Sequence, residues 1–123
     1  MGGIPITRQE EDRAIQIIQR AFELGINFFD SATGYGLGSS ERRIGKAVKE
    51  FRDEVIIATK TGSMNEKGAT RSLEASLKQL DTDYIDLWQL GNVTTRDKYN
   101  RLQAPEGAYW AAERTMDEGI VKH

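Results

Sequence analysis

The sequence predicts an α/β fold in which parallel strands alternate with helices. Segments with apolar residues at helical spacing alternate with short continuous apolar runs, and residues that cap or stop helices stand at the junctions. The order along the chain is helix, strand, helix, strand, helix, strand, helix. Strands that alternate with helices favour right-handed crossovers and therefore a parallel sheet.

The first two predicted helices are defined by their caps and by their buried stripes. A capping box over residues 7–10 begins the first helix, and Gly25 ends it. Ser39 or Ser40 caps the second helix, with Glu41 in its first turn. The predicted buried stripes are Ala14, Ile17, Ile18, Ala21 and Leu24 in the first helix and Ile44, Ala47, Val48 and Phe51 in the second.

The third and fourth helices are predicted in the same way. Thr70 is expected to cap the third helix, whose inward-facing residues are Leu73, Leu77 and Leu80. A polar loop then follows the third strand. Beyond that loop, the fourth helix has Pro105 in its first turn and ends near Gly119.

Three short apolar segments are predicted to be strands, at residues 26–30, 55–60 and 84–90. The first ends in Asp30 and the second in Lys60, and Tyr35 follows Asp30 by five residues in a glycine-rich loop. In parallel α/β folds, chemistry collects at the carboxyl ends of the strands. Asp30, Tyr35 and Lys60 are therefore the candidate site residues.

Each candidate also has a purely structural interpretation that local sequence alone leaves open. Asp30 can accept N–H groups of its own loop, and Tyr35 can pack on the end of the sheet. Lys60 can lay its aliphatic stem along apolar surface while its amine stays in water.

The glycine-rich loop and the single histidine do not predict further sites. Gly34, Gly36 and Gly38 invite a phosphate-loop interpretation, but the third glycine of that motif would fall at Ser39. The alternative of a bound anion at the start of the second helix stays open. A flexible loop that leads into a helix cap is the better interpretation. His123 is terminal and is expected to be non-catalytic. No metal site is predicted.

Composition indicates one ordinary soluble domain over residues 1–123. Hydrophobic residues make up 38%, and the formal net charge is −2, which argues against a basic nucleic-acid surface. No apolar run approaches the roughly 20 residues of a membrane helix, and no secretory signal is apparent. The chain has no cysteine, which excludes disulfides and cysteine-bound metals within it. We expect a cytoplasmic protein without nucleic-acid or membrane partners.

The length corresponds to about half of a (β/α)₈ TIM barrel, which needs about 250 residues. Residues 2–6 stand where a first strand would be ending, and residues 120–123 stand where a next strand would begin. Three parallel strands leave two open sheet edges, and such edges are normally paired, covered or charged. We therefore expect a partial barrel that forms a homo-oligomer or pairs with a separate chain.

Five segments carry a specific resemblance because they occur together and in the correct order. They are residues 21–30 (AFELGINFFD), 40–47 (SERRIGKA), 57–60 (IATK), 83–90 (DYIDLWQL) and 107–123. Together they resemble the N-terminal half of an aldo-keto reductase, over nearly the whole chain. Residues 90–107 most resemble a microbial branch of that family whose longer members carry a C-terminal ferredoxin-like domain.

This resemblance implies hydride transfer from NADP or NAD to a small-molecule carbonyl substrate. Tyr35 matches the general acid that protonates the carbonyl oxygen. A free phenol has a pKa near 10, and a nearby ammonium group lowers such a pKa by stabilising the phenolate. Lys60 matches the residue that does this, and Asp30 matches its partner, which also borders the nicotinamide ribose. Gly3 and Ile4 are weaker cofactor-binding candidates near the nicotinamide.

The sequence departs from the family at two points. Gly91 stands where the family has a histidine after its fourth strand. The loss of a general acid–base group commonly lowers the reaction rate by ~10²–10⁴. The later strands and loops that hold most of the cofactor in the family have no counterpart here. We therefore expect weak or absent activity for this truncated chain alone. The alternative is a non-catalytic half-barrel module for assembly or binding.

Overall fold

Three parallel strands form the centre of the computed structural model, which describes residues 8–123. They are β1 (Phe28–Asp30), β2 (Ile56–Thr61) and β3 (Leu87–Leu90), in the spatial order β1-β2-β3. The parallel α/β prediction is confirmed. β1 and β3 comprise only the last three and the last four residues of the predicted segments, and β2 is shifted by one residue toward the carboxyl end.

Five helices surround the sheet between residues 8 and 123. They are α1 (Arg8–Glu23), α2 (Ser39–Val48), α3 (Glu66–Leu80), α4 (Arg96–Gln103) and α5 (Ala108–Asp117). Shorter 3₁₀ segments, Tyr35–Gly38 and Lys49–Glu54, lie on either side of α2. Four of the five helices were predicted. None of the helices in this part of the chain is long and apolar enough to cross a membrane.

The first helix ends as predicted, but the second begins differently. Gly25 follows α1 with φ of 93°, a conformation that favours glycine. The capping box depends on Thr7, which lies outside the described residues. Gly38 stands at the N-cap of α2, and no serine side chain caps this helix. The Ser39 N–H donates to backbone carbonyls of the preceding 3₁₀ turn, and the Ser40 hydroxyl accepts a hydrogen bond from the Ser31 hydroxyl. The prediction of a serine cap was wrong.

Asn65, rather than Thr70, caps the third helix. The Asn65 side chain accepts a hydrogen bond from the Gly68 N–H at 2.8 Å, which is the usual geometry of an N-cap. Thr70 lies one turn further on, and its hydroxyl donates to the Glu66 carbonyl. Two polar residues of suitable type stand near this helix start, and the local sequence did not distinguish them.

The segment before the last helix also differs from the prediction, because it contains α4. This short helix is polar and buries only Leu102, so it lacks the apolar stripe that would have revealed it. Pro105 lies between α4 and α5 and not in a first helical turn. A Cβ on Gly107, which caps α5, would lie 2.0 Å from the Leu102 carbonyl oxygen, so only glycine allows the two helices to approach so closely.

The hydrophobic core lies between the sheet and the helices that cover one of its faces. Its fully buried members include Val48, Ile57, Leu80 and Ile85. The predicted stripes of the second and third helices pack against this core. Ile17 and Leu24 of the first helix do not, since they are 52% and 67% exposed.

The sheet edge at β3 was predicted to be open, and this prediction was wrong. Residues 120–123 run beside it, with a parallel bridge from Ile85 to Val121 and a hydrogen bond from the Trp88 N–H to the His123 carbonyl. At the other side of the sheet, β1 pairs only with β2 among the described residues. One edge of the described sheet therefore remains unpaired.

A buried carboxylate joins the amino ends of β2 and β3. Asp86 accepts hydrogen bonds from the Arg52 guanidinium and the Lys122 ammonium, both at 2.9 Å, and from the Ile57 N–H at 3.0 Å. Burial raises the pKa of the Asp86 carboxyl, but the Ile57 N–H and the two cations outweigh that effect, so its pKa lies below the ordinary value. Tyr84 lies between the same two cations.

Replacement of Asp86 by Asn is expected to lower the free energy of unfolding by roughly 2–4 kcal/mol, because it leaves two cations without their buried counter-charge. The pKa of Asp86 is lower in the folded chain than in the unfolded chain. The carboxylate therefore makes its full contribution to the free energy of unfolding above the unfolded pKa near 4, and this contribution is lost as the pH falls through the folded-state pKa. Urea unfolding at neutral and acid pH measures both effects. Asp83→Asn, at an exposed position nearby, is the matched control. Equal losses in the two variants would contradict this account.

Candidate active site

The predicted acid and amine project from the same face of the sheet. Strand residues alternate between faces, and the register pairs Asp30 with Ala58 and Lys60 with Gln89. Asp30, Lys60 and Gln89 therefore share one face near the carboxyl ends of β1, β2 and β3. The opposite face carries Ile57 and Thr59, which are fully buried against the helices.

An ion pair joins the first two strands at this end. The Lys60 Nζ donates to Asp30 Oδ2 at 2.7 Å and also to the Ser31 carbonyl oxygen. Gln89 Nε2 donates to the other Asp30 oxygen at 3.1 Å. One polar group from each strand thus enters a single network. Gln89 was not a sequence candidate, and only the β2–β3 register reveals it.

Tyr35 lies beside this network on the 3₁₀ segment before α2. The Lys60 Nζ is 5.3 Å from the centre of the Tyr35 ring, which is within the range of a cation–π contact. The Tyr35 residue remains 44% exposed. An ammonium has three N–H donors, and Asp30 and Ser31 use two of them. The structure therefore brings together Asp30, Tyr35 and Lys60, while Gly3 and Ile4 lie outside the described residues.

A set of hydroxyl groups fixes the segment between Asp30 and Tyr35. Thr33 Oγ1 donates to the Lys60 carbonyl at 3.3 Å and lies 2.9 Å from the hydroxyls of Ser72 and Ser76. These bonds tie the loop to the end of β2 and to α3. The sequence offered no signal for this role, because the partners of Thr33 are far away along the chain.

The loop reaches α2 through three consecutive residues with left-handed backbone conformation. Gly36, Leu37 and Gly38 have φ values of 57°, 54° and 85°. Leu37 is 97% exposed, so packing of its side chain does not offset the unfavourable positive φ. The tight turn places Tyr35 back over the sheet.

Gly91, where the sequence resemblance implies a histidine, lies next to this network. Its N–H donates to the Thr61 carbonyl at 2.7 Å. A Cβ at Gly91 would lie 3.0 Å from that carbonyl oxygen and 3.9 Å from the Lys60 Cβ. A side chain here would therefore border Lys60, at the cost of a shift of a few tenths of an ångström.

The described part of the chain offers no metal centre, since no three His, Asp or Glu side chains are grouped to hold an ion. The site is instead an ammonium, a carboxylate, an amide and a phenol at the carboxyl ends of parallel strands. Such a set can stabilise a phenolate and hold hydroxyl groups of a ligand. The hydrogen bonds of this network involve no histidine.

Comparison with known proteins places this arrangement in one family. The model described as "Aldo/keto reductase family" matches residues 1–123. The aldo-keto reductase YhdN of Bacillus subtilis is 40% identical over 102 residues, which cover 73% of this chain and 31% of that protein. A probable aldo-keto reductase of Glycine max is 39% identical over 127 residues, covering 94% of this chain and 35% of that protein. The chain thus spans about a third of the length of these two relatives.

Solved structures agree with the fold. The thermostable aldo-keto reductase Tm1743 superposes with a TM-score of 0.81 at 29% identity, covering 99% of this chain and 44% of its own. The holo form of an aldo-keto reductase from Bacillus halodurans gives 0.77 at 31% identity, covering 92% and 40%. A Klebsiella pneumoniae aldo-keto reductase solved with NADPH gives 0.79, covering 95% and 39%, and at 24% identity it shows the fold alone.

The family match and the structural similarity account for the alternation of strands and helices. The parallel sheet of this chain corresponds to part of the (β/α)₈ TIM barrel of those proteins. The chain belongs to the aldo-keto reductase family.

Proposed function

We propose that this chain supports the reduction of a small-molecule carbonyl group by NADPH or NADH. The observation that carries the proposal is the Lys60 ammonium, which binds Asp30 and lies beside the Tyr35 ring at the carboxyl end of the sheet. The ammonium lies over the face of the Tyr35 ring, which places a cation next to the proposed proton donor. We keep the cytoplasm as the proposed compartment.

Each residue has one role in this reaction. Tyr35 donates the proton from its hydroxyl to the carbonyl oxygen, and the resulting tyrosinate is stabilised by Lys60. Asp30 orients the ammonium through their 2.7 Å hydrogen bond. A nicotinamide cofactor, when bound, would supply the hydride that reduces the carbonyl to an alcohol and would itself be oxidised.

The residues around Asp30 are compatible with such a cofactor. The Asp30 side chain remains 45% exposed although it binds Lys60 and Gln89. A carboxylate oxygen can accept more than one hydrogen bond, so a ribose hydroxyl can reach Asp30 without displacing Lys60. Gly3 and Ile4 stay predictions for the nicotinamide end. The resemblance to the branch with a ferredoxin-like domain also stays a prediction.

Gly91 limits the rate in this proposal. A glycine has no side chain that could orient the carbonyl oxygen or relay a proton beside Tyr35. The loss of one acid–base group commonly lowers a rate by about 10²–10⁴. We therefore propose weak turnover for the 123-residue chain, with Asp30, Tyr35 and Lys60 as the catalytic residues.

Tyr35→Phe should lower turnover by at least about 10², because it removes the proton donor and leaves the Lys60–Asp30 pair in place. The measurement is NADPH or NADH oxidation with a panel of aldehydes, ketones and quinones. Tyr99→Phe, which removes the hydroxyl of another exposed tyrosine away from the network, is the matched control. Unchanged turnover in Tyr35→Phe would exclude the assigned proton donor.

Gly91→His should raise kcat by roughly tenfold or more, because it places an imidazole beside Lys60. Gly91→Ala introduces the same close contact with the Thr61 carbonyl and no imidazole, so it serves as the control. The comparison uses kcat against pH for the three proteins. If alanine raises kcat as much as histidine, the imidazole is not responsible, and the proposal for this position fails.

A second candidate function is a half-barrel module that assembles with a second copy of this chain. Phe28 and Ile56 are register partners on the face that carries Asp30 and Lys60, and they are 48% and 42% exposed. Adjacent exposed apolar side chains of this size favour association. The unpaired edge of β1 lies beside them.

Sedimentation equilibrium of the chain is expected to show a dimer or higher oligomer, and Ile56→Lys should shift it toward monomer by placing a charge in the contact. Val93→Lys, at an exposed apolar position after β3, is the control. A folded monomer at all concentrations would count against the assembly module. Turnover that persists in a monomeric Ile56→Lys variant would favour the enzyme over the module.

A further inference from the structure

A cavity of about 220 Å³ lies at the free edge of β1, between α1 and α2. Its apolar wall consists of Ile18, Phe28, Phe29 and Ile44, and its polar lining includes Ser40 and Arg43. The cavity is therefore largely apolar, and its two charged lining groups are the Arg43 guanidinium and the Asp30 carboxylate.

Arg43 is buried without a partner. The residue is 3% exposed, and its Nε is buried without a hydrogen bond. Among the buried charged residues between positions 10 and 123, Glu41 binds Thr59 and Asp86 binds Arg52 and Lys122, whereas Arg43 makes no hydrogen bond or ion pair. Arginine stays protonated, so Arg43 brings a full positive charge to the wall of this cavity.

An isolated buried charge is costly, and proteins normally pair it. The chain itself does not supply the counter-charge. Asp30 lines the same cavity, but its carboxylate forms its ion pair with Lys60 and makes none with Arg43. Residues 1–7 contain no Asp or Glu. The missing partner of Arg43 is therefore an anion from outside these segments.

The surroundings of Arg43 define which anion fits. The planar guanidinium matches a carboxylate with two parallel hydrogen bonds. Ser40 lies in the first turn of α2, where unpaired N–H groups and the helix dipole also favour negative charge. The aromatic rings of Phe28 and Phe29 offer a surface for an apolar body of small size.

We propose that this cavity binds a small organic monocarboxylate with an apolar body, held by Arg43. Asp30 both lines this cavity and binds Lys60, so the occupant would lie directly beside the Lys60 network. The proposal does not depend on hydride transfer, because its readout is binding.

Titration calorimetry with benzoate tests the ligand class in the unmodified chain. Benzamide, which has the same shape without the charge, is expected to bind at least about tenfold more weakly, since hydrogen bonds to a charged group are stronger than neutral ones. Equal binding of the two, or no benzoate binding at millimolar concentration, would overturn the proposal. Tighter binding of inorganic phosphate than of benzoate would also overturn it, since the apolar wall would then have no role.

Arg43→Leu and Arg42→Leu test the residue. Arg43→Leu should weaken benzoate binding by roughly ten- to a hundredfold. Its thermal midpoint without benzoate should equal or exceed that of the unmodified chain, because an unpaired buried charge is gone. Arg42→Leu removes a neighbouring partly exposed charge and should retain binding. A lower midpoint in Arg43→Leu together with unchanged benzoate affinity would assign Arg43 a structural role and refute the site.

Discussion

The Lys60 ammonium is the group on which the candidate site depends, because it connects two strands and the loop that follows them. It binds the Asp30 carboxylate and the Ser31 carbonyl, and Gln89 reaches the same carboxylate from β3. An exposed ion pair of this kind contributes only about 0–1 kcal/mol to stability. The ion pair therefore serves mainly to position the Lys60 and Asp30 side chains. The buried core supplies the stability that holds the strands in register.

Two carboxylates at opposite ends of the sheet show how burial separates structure from chemistry. Asp86, 8% exposed at the amino ends, is enclosed by Arg52, Lys122 and the Ile57 N–H. Asp30, at the carboxyl ends, keeps an exposed side chain although it binds two partners. The first is committed to holding β2, β3 and the final residues together. The second retains lone pairs for a ligand.

Much of the fold and part of the site could be predicted because their signals are local. The alternation of helices and strands follows from apolar periodicity over short windows, and four of the five described helices follow from it. Asp30, Tyr35 and Lys60 were found because each stands at a strand end or in the adjoining loop. The helix caps could not be predicted reliably from local sequence. Ser39, Ser40 and Thr70 are suitable residue types, but in the structure their hydroxyl or N–H groups have other partners.

The sequence by itself thus determined the α/β class, the parallel strands and the acid, phenol and amine of the candidate site. Tertiary structure alone decided that Gln89 joins Asp30, that residues 120–123 pair beside β3, and that Arg43 is buried without a partner. These features depend on strand register and on burial by segments that are far apart along the chain. Periodicity and motif spacing carry no information about such contacts, because they describe neighbours in sequence and not neighbours in space.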